Sequence, residues 1–318
     1  MTVCHENPEA DAIGSALAVA MLVEAGGGVA TTVCPDPVPP MYNFLRGMDR
    51  FRTQPDPAMD YDLLAVVDCG ELERTGPVLE ANPELFARVP ILDIDHHQSN
   101  RHFGTVDWVE PWSSAASEMI ALLTLKMGLP LTLGGGVLAD ALMAGIVMDT
   151  ANFQHPNTTP RTLMVAAALK EAGAPLAEIA RLIYRSKPNS QLLLFGRVLG
   201  RLESDCDGRL VWSTLELADL TAAGAGPAES EGLVDLLAQS ESAEAAILFK
   251  EVEGNGSTRV SVRTRTGGVD ATELTRVFGG GGHARAAGAT LELPLAEARP
   301  AVLKVAADLV RAVERPRQ

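Results

Sequence analysis

Three short apolar runs end in residues able to bind metal or move protons: Val3-Cys4-His5, Val66-Val67-Asp68 and Ile94-Asp95-His96-His97. If these runs are strands of one open α/β sheet, their ends converge in space, because ligands settle in the crevice outside the carboxyl ends of the strands. Imidazoles that meet carboxylates point to a metal. Glu9 and Asp11 follow His5 at a loop and helix start that can turn three ligands toward one point. Oxygen donors mixed with imidazole suit Mn, Mg, Fe or Zn, and the lack of thiolates speaks against a structural zinc site. Two such ions bridged by a carboxylate sit about 3.5 to 4 Å apart. Asp68 is the bridging candidate.

Each of these residues also has a plainer reading. An Asp or His at a strand end is usually a solvated loop residue, and Asp11 would cap the helix that follows it well. Asp149 closes the apolar run Ala144-Gly145-Ile146-Val147-Met148 and, by itself, reads as a helix-end residue facing water; Asp93 and Asp140 are comparable acids. The distribution of histidine favours the functional reading. Of six histidines, His5, His96, His97 and His283 fall in polar segments flanked by acids or glycines, whereas His102 and His155 read as surface residues.

The elements that would position these groups follow from periodicity. Short apolar runs alternate with helical stretches in the first half, the pattern of a doubly wound, mostly parallel sheet in an α/β domain. Strands are expected at Val29 to Val33, Leu63 to Val67 and Ile91 to Ile94. Helices are expected at Ala12 to Ala25, Ser113 to Met127, Gly134 to Asp149, Pro160 to Ala172 and Leu176 to Tyr184. The pattern changes near Lys187, which places a first domain at 1–187, a linker helix within 188–204 (Gln191 to Glu203) and a smaller α+β domain at 205–318. In that second domain strands are expected at Leu210 to Leu215, Glu244 to Val252 and Arg259 to Thr264, with helices at Asp270 to Phe278 and Leu295 to Glu314. Only Met1 to Cys4 precede His5, fewer than the usual five or six residues of a strand, which suggests a natural segment upstream of Met1.

The second domain also carries Gly279-Gly280-Gly281-Gly282-His283-Ala284-Arg285. Glycines leave backbone N–H groups unobstructed, so this run can form a nest for an anion, with His283 and Arg285 adding charged donors; otherwise it is a flexible loop. Arg263 and Arg265, at a strand end, could add phosphate contacts or simply be solvated.

Composition narrows the functional classes. The chain has 318 residues, 47% hydrophobic and 21% charged, long enough for two globular domains. No apolar run approaches the roughly 18 residues that cross a bilayer, and no leader opens the chain, so a cytoplasmic protein without membrane contact is expected. Cys4, Cys34, Cys69 and Cys206 form no C-x-x-C pair. The net charge is -15, and residues 259–318 hold ten Lys/Arg against six Asp/Glu, a balance of +4 that leaves -19 on the preceding part. Such a body is a poor match for long duplex nucleic acid, which is gripped by lysine and arginine neutralising many phosphates. Small or short anions remain suitable.

Taken together, these residues resemble a known family. His5-Glu6-Asn7-Pro8-Glu9-Ala10-Asp11-Ala12-Ile13-Gly14-Ser15, Asp68-Cys69-Gly70, Asp95-His96-His97 and Asp149-Thr150 are similar, in order and approximate spacing, to the four motifs of the DHH phosphoesterase superfamily. The glycine-rich segment resembles the signature of its C-terminal DHH-associated domain. Length and the absence of extra domains look most like the standalone bifunctional oligoribonuclease and phosphoadenosine-phosphate phosphatases, the nanoRNases. The resemblance implies two divalent ions, Mn2+ first with Mg2+ or Co2+ as alternatives. One would be held by His5, Glu9 and Asp68, the other by Asp11, Asp68, His96 and Asp149. His97 would lie beside the scissile phosphate, and Asp95 would orient the neighbouring imidazoles. Arg263, Gly280, Gly281, Gly282, His283 and Arg285 would bind the rest of the substrate. In one departure, Glu9 stands where the family has Asp, so the loop must absorb one methylene.

The expected activity is release of nucleoside 5′-monophosphates from RNA of about two to five nucleotides, and conversion of 3′-phosphoadenosine 5′-phosphate (pAp) to AMP, by in-line attack of a metal-activated water. Short RNA, dinucleotides and pAp are the expected partners, with a homodimer left open. The competing readings are a soluble phosphodiesterase of linear or cyclic dinucleotides, a RecJ-like single-strand exonuclease, and a pseudoenzyme that only senses a nucleotide.

Overall fold

In the computed structural model, which describes residues 1–313 except Asn255 and Thr266, the chain divides into two units, Met1–Ser186 and Lys187–Gln318. The first unit alternates strand and helix: β1 (Thr2–Val3), α1 (Ala10–Ala25), β2 (Thr32–Val33), β3 (Leu64–Val67), α2 (Pro77–Ala81), α3 (Pro83–Arg88), β4 (Ile91–Asp95) and β5 (Val106–Val109). Four helices then follow, α4 (Ala116–Lys126), α5 (Val137–Asp149), α6 (Pro160–Glu171) and α7 (Leu176–Tyr184). The five strands are all parallel, in the order β2-β1-β3-β4-β5. Strand order reverses between β1 and β3, and the crevice at such a switch point is where ligands enter a doubly wound sheet.

The central strands are mainly apolar because both faces are covered, with Asp93 and Asp95 of β4 as buried exceptions. Ala65, Val67 and Ile94 pack into one core with Ile13 and Leu17 of α1 and Leu142 and Ile146 of α5. Val3, Leu64, Val66 and Ile91 meet Val78 of α2 and Phe86 of α3 on the other side. α1 and α5 approach closely because Gly14 has no side chain: a Cβ there would meet the Ala141 carbonyl.

The second unit comprises α8 (Asn189–Leu199), β6 (Glu203–Asp205), β7 (Leu210–Leu215), α9 (Leu217–Ala223), α10 (Leu233–Leu237), β8 (Ala245–Glu251), β9 (Thr258–Thr264), α11 (Ala271–Arg276), β10 (Gly281–His283), β11 (Ala286–Leu291) and α12 (Leu295–Ala312). Its six strands run in the order β10-β11-β9-β8-β7-β6, with β7 and β8 parallel and every other pair antiparallel. Period-two alternation splits β8 between two cores. Ile247 and Phe249 pack with Val302 and Ala306 of α12, and Ala246 and Leu248 pack with Leu194 and Val198 of α8.

Several expected bounds shift. The helix expected to reach Glu203 ends at Leu199, and Glu203 opens the exposed edge strand β6. Strand β2 is confined to Thr32–Val33, and α5 begins at Val137 after a short 3-10 turn at Leu133–Gly136. Glu314, the last residue of the expected closing helix, lies outside the described residues.

The glycine run is built into a turn and an edge strand rather than a loose loop. Gly279 and Gly280 spend their N–H groups on the carbonyls of Arg276 and Thr275 at the end of α11, and Gly281–His283 pair with Ala286–Gly288 as strand β10. Glycine is required at 282, where φ is +140° and a Cβ would press on Ala287.

Candidate metal centre

The strand ends do converge. His5 follows β1, Asp68 follows β3 with φ +53°, and Asp95, His96 and His97 sit at the end of β4. Asp11 comes from the first turn of α1 and Asp149 from the last residue of α5. His96 Nε2 lies 3.0 Å from Asp149 Oδ2, 3.4 Å from Asp68 Oδ1 and 3.9 Å from Asp11 Oδ2. His5 Nε2 is 3.7 Å from Asp68 Oδ2, and His97 Nδ1 is 3.8 Å from Asp68 Oδ1. Two sets of donor atoms each fall within 4.8 Å of one another: Asp11, Asp68, His96 and Asp149, and Asp68, His96 and His97.

Each imidazole is oriented from behind, as ligating histidines usually are. His5 Nδ1 donates to the Glu6 carbonyl at 2.6 Å and His96 Nδ1 to the Ser113 carbonyl at 3.3 Å, so both Nε2 atoms are turned to the carboxylates. His97 Nδ1 instead donates to Asp95 Oδ1 at 2.6 Å. Asp95 is itself held, its Oδ2 accepting from Asn100 Nδ2 at 2.7 Å, and the same amide donates to Asp93 Oδ2 at 2.9 Å. Asp11 does not cap its own helix. Its Oδ2 accepts from the Ala116 N–H and its Oδ1 from the Ser117 N–H, at the start of α4.

The electrostatics fit a cation at this point. Burial, followed by the charges of Asp68 and Asp149, pushes the Asp11 carboxyl well above its ordinary range, and burial and Asp68 also raise Asp149. Burial alone would raise Asp68, but His5, His96 and His97 override it and hold that carboxyl well below the usual range. Burial alone would lower His96; hydrogen bonds to Asp149 and Asp68 and the charge of Asp11 push it up to about 12. The buried Asp11 and Asp68 and the partly buried Asp149 therefore crowd around His96, with His5 and His97 beside Asp68. Asp68 Oδ1 is buried without a well-formed hydrogen bond among the described residues, its nearest donors being His96 Nε2 at 3.4 Å and His97 Nδ1 at 3.8 Å, and a buried carboxylate oxygen so poorly paired is costly. A divalent ion among these oxygens and His96 Nε2 would supply the missing partner, and the hard-oxygen and imidazole donor set suits one.

Not every expected ligand joins the cluster. Glu9 is exposed at the N-cap of α1 and belongs to neither close set of donors. Asp140 ion-pairs with Arg46 at 2.8 Å, away from the centre. In the second unit Gly281, Gly282 and His283 are exposed on β10, Arg263 pairs with Asp235 at 2.6 Å, and Arg265 donates to the carbonyls of Glu241 and Ser240. His102 and His155 are exposed as expected, but His155 Nδ1 donates to the Asp149 carbonyl at 3.3 Å. Asn100 and Ser113 are contributors that sequence reading missed. Only the Asn three residues after the double histidine offered any signal for them.

Fold and centre together define a two-unit α/β protein whose parallel sheet carries a carboxylate–imidazole site of the kind used by metal-dependent hydrolases. Residues 1–146 match the N-terminal domain of the DHH family and residues 211–312 the DHHA1 domain. The chain belongs to the DHH family of phosphoesterases. It is 34% identical to the bifunctional oligoribonuclease and PAP phosphatase NrnA of Thermus thermophilus, over 97% of this chain and 89% of the relative. It is 27% identical to the protein of the same name from Bacillus subtilis, over 90% of this chain and 87% of the relative. Among solved structures, an exopolyphosphatase-related protein from Bacteroides fragilis shares the fold, with a TM-score of 0.83 at 21% identity over 98% of this chain and 91% of that one.

Proposed function

We propose that this chain is an Mn2+-dependent phosphoesterase that degrades RNA of about two to five nucleotides to nucleoside 5′-monophosphates and dephosphorylates pAp to AMP in the cytoplasm. The observation that carries the reading is the gathering of Asp11, Asp68, His96 and Asp149 donor atoms within 4.8 Å. The printed activities of the Thermus and Bacillus relatives support the substrate class. Among the described residues no helix is long and apolar enough to cross a membrane.

Asp11, Asp68, His96 and Asp149 would hold one cation, and Asp68 would be shared with a second held by His5 and Glu9. Two divalent ions in such a site polarise phosphoryl oxygens and make a water nucleophilic near neutral pH. The remaining work belongs to the protein. Asp95 fixes His97 through Nδ1, which leaves Nε2 as the atom to give a proton to the departing sugar oxygen. Asn100 keeps Asp95 from turning away. In the second unit Arg263, Gly280, Gly281, Gly282, His283 and Arg285 would grip the remaining phosphate, with charged side chains as donors.

The test pairs activity with binding. The parent chain should hydrolyse pAp, dinucleotides and a pentanucleotide, and a long strand poorly, with Mn2+ outperforming Mg2+ and Co2+. Asp68→Ala should lose activity by at least about 10²-fold and show no calorimetric Mn2+ uptake. Full activity in that variant would refute the assignment.

A further inference from the structure

Outside the metal centre, the second unit contains a cavity of about 570 Å³, within the size range of small-molecule sites. It lies at the carboxyl ends of the parallel strands β7 and β8, where Leu215 and Lys250 are partners in register. Leu217 and Leu220 of α9, with Val252, give it apolar walls. Its polar groups are of both kinds. Lys250 and Arg259, paired in register across β8 and β9, supply cations, and Glu251 and Glu253 supply acceptors. Glu251 is fixed in place by accepting the Leu217 N–H at 2.9 Å.

Lys250 is the telling residue. Its ammonium is half-buried and donates to Ser230 Oγ at 3.0 Å, and among the described residues no carboxylate lies within 4.0 Å of it. Burial, and then the neighbouring Arg259, lower its pKa against the opposing carboxylates of Glu231 and Asp235, neither of which makes an ion pair with it, so negative charge in contact with the ammonium is missing. An anion entering the cavity would supply that charge. The row occupied by Arg263, Ala286 and His283 lies four residues further along β9, about 13 Å away at the usual strand rise. The cavity is therefore distinct from the glycine-rich edge.

We propose that this cavity is a second nucleotide-binding site. The phosphate of a nucleoside monophosphate unit would face Lys250 and Arg259, its base would lie against Leu217, Leu220 and Val252, and its hydroxyls would meet Glu251 or Glu253. In naming a nucleotide, the assignment rests on the substrate class proposed above. The unit is either free nucleotide or the distal end of a bound oligonucleotide.

The full-length Asp68→Ala chain isolates this site from hydrolysis. AMP and a non-hydrolysed tetranucleotide are titrated into it by calorimetry, and again after adding Lys250→Met, or Leu220→Trp, which fills the space while keeping the charges. Circular dichroism checks folding. Both second substitutions should weaken binding at least 10-fold. Weakening for AMP identifies free nucleotide as the occupant, and weakening for the tetranucleotide alone identifies the distal unit of a substrate. Unchanged affinity for both ligands in either folded variant overturns the proposal. Mn2+ uptake by the parent chain, measured separately, reports on the metal centre, so failure of one reading is not mistaken for failure of the other.

Discussion

The Asp11 carboxylate accepts the Ala116 backbone N–H at 2.7 Å across 105 residues of sequence. Helix α4 has no side-chain cap of its own at Ala115, so a candidate metal ligand closes its first turn. Capping of this kind contributes about 1 kcal/mol and places a negative charge at the positive end of the helix dipole. Ligand geometry and the seating of α4 are consequently coupled. The Ser113 carbonyl that orients His96 belongs to the same approach to α4.

That coupling depends on Gly145 of α5. A Cβ at this position would collide with Ser117 Oγ and Asp11 Oδ1, both buried and both in the capping arrangement. Gly145→Ala should destabilise the protein by about 1 to 3 kcal/mol, as overpacking does, and lower Mn2+ affinity with it. Urea denaturation and calorimetry measure the two effects. A stable variant with unaltered metal affinity would show that α4 and α5 can part without disturbing Asp11.

Asp95 acts through His97. Asp95→Asn keeps the shape but removes the charge that holds Nδ1–H, and its amide could present N–H to the imidazole and turn the ring. The expected result is a fall in kcat of about 10- to 100-fold, the usual cost of losing such a support, with KM little changed. Steady-state kinetics on pAp decide it. A change confined to KM would place His97 in substrate binding instead.

Parts of this architecture are legible without coordinates because they rest on local chemistry. Strand β3 is apolar throughout and β4 apolar except at Asp93 and Asp95, both lead into acid or histidine, and α1 and α5 are long apolar helices. Strands β5, β6, β10 and β11 are not legible. Glu203–Asp205 is a polar edge, Gly281–His283 has no β-forming residue but His, and Ala286–Leu291 is rich in Ala and Gly. What makes β11 a strand is its six-residue pairing with β9, a non-local term that propensity does not contain. The ligands at strand ends could be anticipated from topology. The Asp11 cap could not, since it depends on which segments meet, and Asn100 is marked only by its place three residues after the double histidine.

Asp93 offers a test of the same network by pH. It is fully buried, and burial, with the charges of Asp95 and Asp107 against the Asn100 hydrogen bond, raises its pKa to about 7. A carboxyl whose folded pKa exceeds its unfolded value of about 3.9 contributes fully to stability below that unfolded value, and the contribution is lost as pH rises toward 7. The linkage corresponds to at most about 4 kcal/mol. Asp93→Asn, which can still accept from Asn100, should raise Tm by several degrees at pH 8 and leave it nearly unchanged at pH 4. Thermal melts across that range measure it, and equal shifts at both ends would assign the effect to packing rather than to the proton.

Removing metal should destabilise the first unit in a way that identifies its ligands. Without a cation, Asp11, Asp68 and Asp149 repel one another with only the neighbouring imidazoles to offset them, and Asp68 Oδ1 makes no well-formed hydrogen bond among the described residues. A ligand present at 100 times its Kd stabilises the native state by about 2.7 kcal/mol, or roughly 5 to 10 °C in Tm for a unit of this size. Mn2+ added to chelator-treated protein should therefore raise Tm by several degrees. Asp68→Ala separates the two contributions, because it relieves the repulsion and removes the shared ligand together. That variant should melt at or above the metal-free parent and show no further rise with Mn2+. A parent whose Tm ignores both chelator and Mn2+ would mean that the buried carboxylates are neutralised by protons alone, and the centre would then have no need of a metal.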